Sequence, residues 1–306
     1  MAIRYLKNAA IDKDKWDECI LKATNSLIYV HSFYLDNCTN HSWDALIIGD
    51  YETVMPVTFR KKYGISYLYQ PAFLQQAGIF SKKEIDINVI DVFVSEIMDR
   101  FKFAEINLNY ANTILKNQNI VIAEKNNFIL PLKNSFTYTA ANFKGDFKRN
   151  VIKAEKNKLS YQTDAFADNL IELYETLYGS RFPFVKRKDY AALKKNCSFL
   201  QTRNDLIVRT AHKSGEILAG IILLKDRNRL YNVASSITEN GRKLSANHFL
   251  FNKVIEEFSN QNLVLDLEGS DLKGIADFYT SMNPFNEKYV SIKYNNLSKF
   301  IKFFKK

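Results

Sequence analysis

Residues 205–237 form the stretch DLIVRTAHKSGEILAGIILLKDRNRLYNVASSI, in which three apolar runs are separated by two polar turns. The turns are KSGE at 213–216 and KDRNR at 225–229. Apolar runs of this length, bounded by glycine and charged turn residues, are typical of consecutive strands. The stretch therefore predicts three strands that follow one another in a single sheet.

Hydrophobic periodicity and turn residues predict further elements on both sides of this stretch. They are a strand at 128–132, helices at 143–161 and 168–182, a helix at 245–261, a strand at 263–269, a short helix at 275–282 and a last strand at 288–295.

The first half of the chain shows a similar order of predicted elements. A strand at 3–6 precedes two helices, then strands within 43–71, an amphipathic helix at 83–101 and an alternating strand at 103–110. Two halves with one order indicate a structural duplication. The polar stretch between Asn112 and Asn127 is the expected join. We expect a mixed α/β protein with two tandem domains, residues 1–125 and 126–306, each with a mainly antiparallel sheet flanked by helices.

Composition limits the possible functions. The chain has 306 residues, is 46% hydrophobic and carries a net charge of +10. Residues 1–127 contain 14 Lys and Arg against 15 Asp and Glu, so their net charge is −1 and that of the remainder is +11. A basic second half favours an anionic partner, such as phosphate, a nucleotide, RNA or a lipid headgroup, although ordinary solubilising charge is the alternative.

Three widely spaced cysteines and four dispersed histidines show no metal-ligand or redox spacing. We therefore expect reduced thiols in a cytoplasmic protein and no metal site. No apolar run reaches the length of a membrane span.

The predicted helix at 143–161 is strongly basic. Its apolar residues fall on one stripe, namely Phe143, Phe147, Val151 and Ala154, whereas Arg149, Lys153 and Lys156 fall on the opposite side. The stripe is expected to dock on the core. The cations are expected either in solvent or facing a bound anion.

Several segments resemble a known family. DFKRNVIKAEKNKLSY at 146–161 resembles the Arg-Arg-Asn-Ile-x-x-Ala-x-Lys segment of the Fem family of peptidoglycan-bridge aminoacyltransferases. LVLDLEGSD at 263–271 and GIADFYTSM at 274–282 resemble its Asp-Phe-x-Gly and Gly-Ile-x-x-Phe-Lys segments, and YLYQPAFLQQAGIF at 67–80 is similar to a first-domain segment. The stretch at 241–258 stands where the wider GNAT superfamily has its cofactor-contacting turn and helix.

The resemblance covers most of residues 1–295 and implies two tandem GNAT-like domains in a bacterial N-acyltransferase. It implies transfer of an acyl or aminoacyl group from acyl-CoA or aminoacyl-tRNA to an amine, with the donor site in the second domain. No metal is implied.

The resemblance places the carrier phosphates at the start of the helix at 245–261, where backbone N–H groups attract anions. The candidate residues are Gly241, Arg242, Lys243, Ser245, Ala246 and Asn247. GNAT proteins usually show Arg/Gln-x-x-Gly-x-Gly/Ala here, and one of those glycines is Leu or Ser in this chain. An ordinary charged turn is the alternative.

The candidate catalytic residues are Tyr279, Glu268 and Asp266. Tyr279 stands where the Fem pattern has Lys, and a tyrosine hydroxyl can protonate a leaving group. Period-2 alternation predicts Asp266 and Glu268 on one face of a strand, suited to accept a proton from the amine. The alternatives are a packed Tyr279 and an Asp266 that pairs with a buried cation.

Substrate contacts are expected in a cleft between the two domains, with the candidates Arg149, Lys153, Phe278, Gln70 and Gln75. Two other hypotheses remain open at this point: a non-catalytic GNAT-fold protein that binds an anionic ligand, and a basic RNA-binding protein. The sequence does not identify the acyl group, the acceptor or the oligomeric state.

Overall fold

A computed structural model describes residues 2–114, 119–269 and 271–297. The chain forms two compact units. The first contains the residues up to Lys125 together with those from Lys288 onward, and the second contains Asn126–Glu287.

The first unit is built on one mixed sheet. Its strands are β1 Ile3–Leu6, β2 Trp43–Ile48, β3 Thr53–Lys62, β4 Ile65–Tyr69, β5 Phe80–Ser81, β6 Phe103–Asn107 and β7 Val121–Lys125, to which a strand from the end of the chain, Tyr289–Asn295, is added. Its helices are α1 Lys13–Lys22, α2 Ser32–Thr39 and α3 Ile87–Arg100. Every neighbouring pair is antiparallel except β4 and β6, and helix α3 buries Ile90, Phe93 and Ile97 in the core.

The second unit contains the other sheet. Its strands are β8 Phe128–Pro131, β9 Ser160–Gln162, β10 Leu206–Lys213, β11 Glu216–Lys225, β12 Arg229–Ile237, β13 Val264–Asp266 and β14 Phe285–Asn286. Its helices are α4 Phe136–Ala141, α5 Gly145–Lys156, α6 Ala167–Tyr178, α7 Arg187–Gln201, α8 Glu239–Lys243, α9 Ala246–Phe258 and α10 Lys273–Thr280. The sheet order is β14-β8-β13-β12-β11-β10-β9. The strand Tyr289–Asn295, which belongs to the sheet of the first unit, is β15.

Helix α5 explains how the basic segment is anchored. Phe147, Val151 and Ala154 are buried, together with Phe143 just before the helix, and α5 packs on α9. Arg149, Lys153 and Lys156 are exposed. The predicted apolar stripe is therefore confirmed, and the helix itself ends at Lys156 rather than at residue 161.

The prediction of a mixed α/β fold with mainly antiparallel sheets and flanking helices is confirmed. One strand assignment is wrong. Strand β15, expected in the second half, pairs antiparallel with β6 and β7 of the first unit. The chain thus returns to the first unit after completing the second.

Candidate active site

Two parallel strands separate in the middle of the second sheet. β12 and β13 pair only at Arg229–Val264, Leu230–Leu265 and Tyr231–Asp266. β13 then ends, whereas β12 continues to Ile237 beside its other neighbour, β11. The carboxyl-terminal part of β12 therefore has no ladder partner on the β13 side, and side chains there border an opening in the sheet.

A β-bulge lies at this point of β12. Leu223 of β11 is opposite Asn232, whereas Ile222 is opposite Ala234, so Val233 is the extra residue. A bulge leaves its extra residue unpaired and re-aims the side chains around it. Because one residue is inserted, Asn232 and Ser235 lie on the same face of the strand although they are three positions apart.

Tyr279 of α10 reaches this face of β12. Its hydroxyl oxygen accepts a hydrogen bond from Asn232 Nδ2 at 3.1 Å, and the hydroxyl also shares a hydrogen bond with the Ser235 side chain. Burial raises the pKa of Tyr279 above its ordinary value, and the nearby carboxylate of Glu268 raises it further, whereas the bonds from Ser235 and Asn232 act in the other direction. Because an amide N–H can only donate, the bond from Asn232 uses a lone pair of the Tyr279 oxygen and does not use the hydroxyl proton.

Asp266 and Glu268 do not share a strand face, so that prediction is wrong. β13 ends at Asp266, and Glu268 has a left-handed backbone with φ of 52°. Asp266 is fully buried, and its Oδ2 lies 2.7 Å from Nη1 of Arg229, which also binds Glu287 at 2.8 Å. Asp266 therefore forms a buried ion pair with Arg229, which was the alternative to a catalytic role in the sequence prediction.

Glu268 is half-buried and close to two tyrosines. Burial raises the pKa of Tyr174 on α6, and the charges of Tyr190 and Glu268 add to the effect. The Glu268 carboxylate thus lies near both Tyr174 and Tyr279. Of the two acidic candidates, only Glu268 combines partial exposure with proximity to the Tyr279 hydroxyl.

The predicted phosphate turn contains a short helix and a sharp bend. Thr238 caps α8 by accepting a bond from the Gly241 N–H at 3.0 Å. A Cβ at Gly241 would lie 2.1 Å from the Leu218 carbonyl oxygen of β11, so packing requires this glycine. Ser245 adopts a φ of 59°, a conformation that favours glycine. The bend expected of a glycine-rich turn is therefore present without glycine at that position.

The start of α9 has no side-chain cap. Ser245 precedes the helix, but its hydroxyl donates to Asn150 Oδ1 of α5 at 2.9 Å instead of accepting from the first turn. The N–H groups of Ala246 and Asn247 belong to that first turn, whose donors have no acceptor within the helix. This arrangement provides donors and a helix dipole for an anion.

Exposed cations lie on the elements around this helix start. Arg149 and Lys153 flank Asn150 on α5, and Arg242 and Lys243 lie on α8. Lys243 pairs with Glu239 at 2.9 Å. Arg149, Lys153 and Arg242 form no ion pair with any residue in the described ranges, so their charges are not neutralised there.

His248 follows in the first turn of α9. Burial lowers its pKa to about 4, and the positive charge of Lys153 contributes, although Asp146 opposes the shift. Its ring packs against Phe147 and Phe278, with centroid distances of 5.2 and 5.0 Å. His248 is therefore neutral at pH 7, and Phe278 belongs to the aromatic packing between α5, α9 and α10.

Gln70 and Gln75 belong to the first unit. Gln70 donates to the Leu74 carbonyl oxygen at 2.6 Å and accepts from the Asn107 N–H at 2.9 Å. The Gln75 side-chain oxygen accepts from Gln76 at 3.1 Å. The Gln70 side chain thus holds the segment after β4 against β6, and the substrate-binding role of both residues stays a prediction.

A separate cavity of 330 Å³ lies in the first unit. Its cations have partners: Lys7 binds Asp44 at 3.0 Å, and Arg100 pairs with Glu96. It contains none of the residues predicted from the sequence. Among the described residues, no cluster of His, Cys, Asp and Glu is suited to hold a metal ion. Nor is any described helix both long and apolar enough to cross a membrane.

The sequence alone predicted no role for Asn232, Ser235 or Asn150. Asn232 carried a signal, since it is a lone amide in the apolar run of a strand expected to be buried. The contacts of Asn150 and Ser235 depend on helix packing and on the bulge, which have no local sequence signature.

Part of the chain matches a known family model. Residues 141–275 match the family model described as an acetyltransferase (GNAT) domain. That range includes α5, the meander β10–β12, the predicted phosphate turn and β13. No curated protein matches the chain in sequence.

Three solved structures resemble the chain in fold. A crystal structure of FemX has a TM-score of 0.66 at 11% identity, covering 99% of both chains. The C-terminal domain of a putative lysylphosphatidylglycerol synthetase from Agrobacterium fabrum has a TM-score of 0.56 at 9% identity, covering 97% of this chain and 95% of the other. L-PGS from Bacillus licheniformis has a TM-score of 0.55 at 10% identity, covering 96% and 95%.

Identities this low show the fold and not the substrate. The matching family model adds the general class of activity, which is acyl transfer. Residues 141–275, which make up less than half of the chain, match the GNAT domain model, and the fold is GNAT- and Fem-like, as the resemblance in the sequence predicted.

Proposed function

We propose that the chain is an N-acyltransferase that moves an acyl or aminoacyl group from an activated carrier, acyl-CoA or aminoacyl-tRNA, to an amine. The observation that carries this proposal is the separation of β12 and β13 after the pair Tyr231–Asp266. The Tyr279 hydroxyl, Asn232 and Ser235 meet at that opening. Acyl transfer to an amine requires a proton donor for the leaving atom, an acceptor for the amine proton and hydrogen-bond donors for the oxyanion. Tyr279, Glu268 and the backbone of β12 are the groups here that can supply them.

The start of α9 supports binding of a phosphorylated carrier. Its first-turn N–H groups have no side-chain cap, and Arg149, Lys153 and Arg242 supply positive charge on the neighbouring helices. Both acyl-CoA and the end of a charged tRNA carry phosphates, so this feature fits either donor.

The transfer forms a bond between the amine nitrogen and the acyl carbon, and it breaks the bond from that carbon to the carrier's sulfur or oxygen. Tyr279 donates a proton to the departing atom, since its raised pKa keeps the hydroxyl protonated at neutral pH. Glu268 accepts the proton that the amine loses. Backbone N–H groups of β12 beyond its last pair with β13 stabilise the oxyanion.

A second candidate is a non-catalytic GNAT-fold protein that binds an anionic ligand. The observation that favours it is the ion pair of Asp266 with Arg229, which leaves Glu268 as the single acidic candidate at the opening. Tyr279 in place of the family's lysine points the same way.

A ligand screen followed by a transfer assay separates the two. The thermal midpoint is measured with acetyl-CoA, a longer acyl-CoA, free CoA and aminoacyl-tRNA, because a ligand of the native state raises it. Product formation is then measured with a panel of primary amines. A midpoint increase with product formation supports the enzyme, and an increase without product for any pair supports the binding protein. No increase and no product with any donor would contradict both.

The double variant Lys153→Gln, Arg242→Gln is the matched test of the carrier site. Both side chains are exposed, so we expect little change in folding stability. We expect carrier affinity to fall and its dependence on salt to weaken, because two cations no longer attract the phosphates. Lys125→Gln, Lys213→Gln serves as a control with the same change of net charge.

A further inference from the structure

One side-chain oxygen at the opening between β12 and β13 is buried without a partner. Asn232 is 5% exposed, and its Oδ1 accepts no hydrogen bond from any described residue. A buried acceptor without a donor is unfavourable. Its position at the end of the paired part of β12 places it where the proposed reaction takes place.

The orientation of this amide is fixed by its neighbours. Asn232 Nδ2 donates to the Tyr279 hydroxyl oxygen at 3.1 Å and faces the Leu267 carbonyl oxygen at 3.5 Å. A carbonyl oxygen can only accept, so the nitrogen and not the oxygen must face Leu267. A flipped amide would set two acceptors against each other. Oδ1 is therefore the atom left unpaired.

The surroundings indicate what Oδ1 binds. Glu268, whose carboxylate acts on the Tyr279 hydroxyl, adds negative charge nearby. Tyr174 contributes an aromatic ring close to the same carboxylate. Unpaired acceptor atoms beside negative charge and aromatic surface suit an N–H donor, and above all an ammonium group.

We propose that Asn232 Oδ1 forms a subsite that accepts a hydrogen bond from an N–H group of a substrate. The N–H belongs either to the amine that receives the acyl group or to an amide or amino group of the acyl carrier. The proposal depends on the proposed function only for the identity of these two substrates. Binding at Asn232 can be measured without turnover.

The test uses protein labelled with ¹⁵N-asparagine, in which the Asn232 side-chain signal is assigned by its loss in Asn232→Leu. Three probes are titrated: n-butylammonium, n-butyltrimethylammonium, which keeps the charge but has no N–H on nitrogen, and coenzyme A. We expect the Asn232 signal to shift with n-butylammonium or with coenzyme A, and not with n-butyltrimethylammonium. A shift with the first assigns the subsite to the acceptor amine, and a shift with coenzyme A assigns it to the carrier.

Asn232→Leu should weaken binding of the responding probe about tenfold, the value of one hydrogen bond to a charged or strongly polar donor. Asn252→Leu removes another buried amide of the second unit, on α9, and should leave that affinity unchanged. Circular dichroism checks that both variants fold. If Asn232→Leu is unstable, Asn232→Asp can supply the assignment of the Asn232 signal. The titrations themselves use labelled wild-type protein and do not depend on either variant being stable.

The proposal is overturned if neither n-butylammonium nor coenzyme A shifts the Asn232 signal. It is also overturned if n-butyltrimethylammonium shifts it equally, because charge alone would then explain the effect. Failure of the proposed function has a different signature, which is the absence of acyl transfer from every donor.

Discussion

Replacing Tyr279 by Phe tests the proposed proton donor with a minimal change. The ring keeps its packing against Phe128 and Phe251, whose centroids lie 6.4 and 6.2 Å away, so the core volume is nearly unchanged. The hydrogen bonds with Asn232 and Ser235 are lost, which costs about 1–2 kcal/mol of folding free energy. If the hydroxyl protonates the leaving group, kcat falls by a factor of about 10² to 10⁴.

The assay measures kcat and KM for acyl transfer with the donor that gives turnover, together with the affinity for the free carrier. We expect kcat to fall and carrier affinity to stay within about twofold of wild type. Because the pKa of Tyr279 is raised from 10.0, the hydroxyl adds no limb to the pH–rate profile below pH 10.

Tyr294→Phe is the matched control. Tyr294 is also buried, and its hydroxyl donates to the Ile97 carbonyl oxygen at 2.8 Å in the core of the first unit. Its loss should lower stability by a similar amount, about 1 kcal/mol, without changing kcat. Equal turnover by Tyr279→Phe and Tyr294→Phe would refute a role of the Tyr279 hydroxyl in the chemistry.

Three further predictions concern the framework of the site. Gly241→Ala places a Cβ 2.1 Å from a backbone oxygen and should lower the free energy of unfolding in urea by about 3 kcal/mol. The control Gly274→Ala has open space around the added Cβ, so the free energy of unfolding should stay unchanged or rise. Arg229→Met leaves Asp266 buried without its cation and should cost about 3–5 kcal/mol in the same assay; a loss below about 1 kcal/mol would contradict the ion pair's structural role. The pKa of His248 is about 4 in the native protein and 6.5 when unfolded, so the unfolded chain takes up the proton first as the pH falls. The free energy of unfolding should therefore decrease by up to about 2 kcal/mol when the pH is lowered from 6.5 to 4. His248→Gln should lose that part of the pH dependence, and an identical pH dependence in both proteins would contradict the burial of a neutral imidazole.

The parts of the fold that follow from local periodicity were predictable. The stripe Phe143, Phe147, Val151, Ala154 follows the helical period, and all four side chains are buried. The meander of β10, β11 and β12 follows from its apolar runs and charged turns.

The parts that depend on pairing between distant segments were not predictable. Strand β15 has an ordinary alternating pattern, which does not specify the sheet that it joins. The alternation assumed for Asp266 and Glu268 failed because β13 ends at Asp266 and Glu268 turns into the left-handed region. Strand length and turn conformation there depend on tertiary packing rather than on residue type.

The candidate site was partly predictable for the same reason. Tyr279 was singled out because a resemblance marked its position, and its hydroxyl bonds to Asn232 just beyond the last pair of β12 with β13. Its catalytic role stays a prediction. The bulge at Val233, which brings Asn232 and Ser235 to one face, has no signature in a run of apolar and small residues. Ser245 shows that a left-handed turn can persist where the expected glycine is absent.

The most direct test of the central claim is a crystal structure of the protein with a bound, non-transferable analogue of the carrier that raises its thermal midpoint. The acyl carbonyl is predicted to lie between β12 and β13, within hydrogen-bonding distance of the bulge at Val233, with the departing atom near the Tyr279 hydroxyl and a phosphate at the first turn of α9. An analogue bound elsewhere, with β12 and β13 free of it, would contradict the claim.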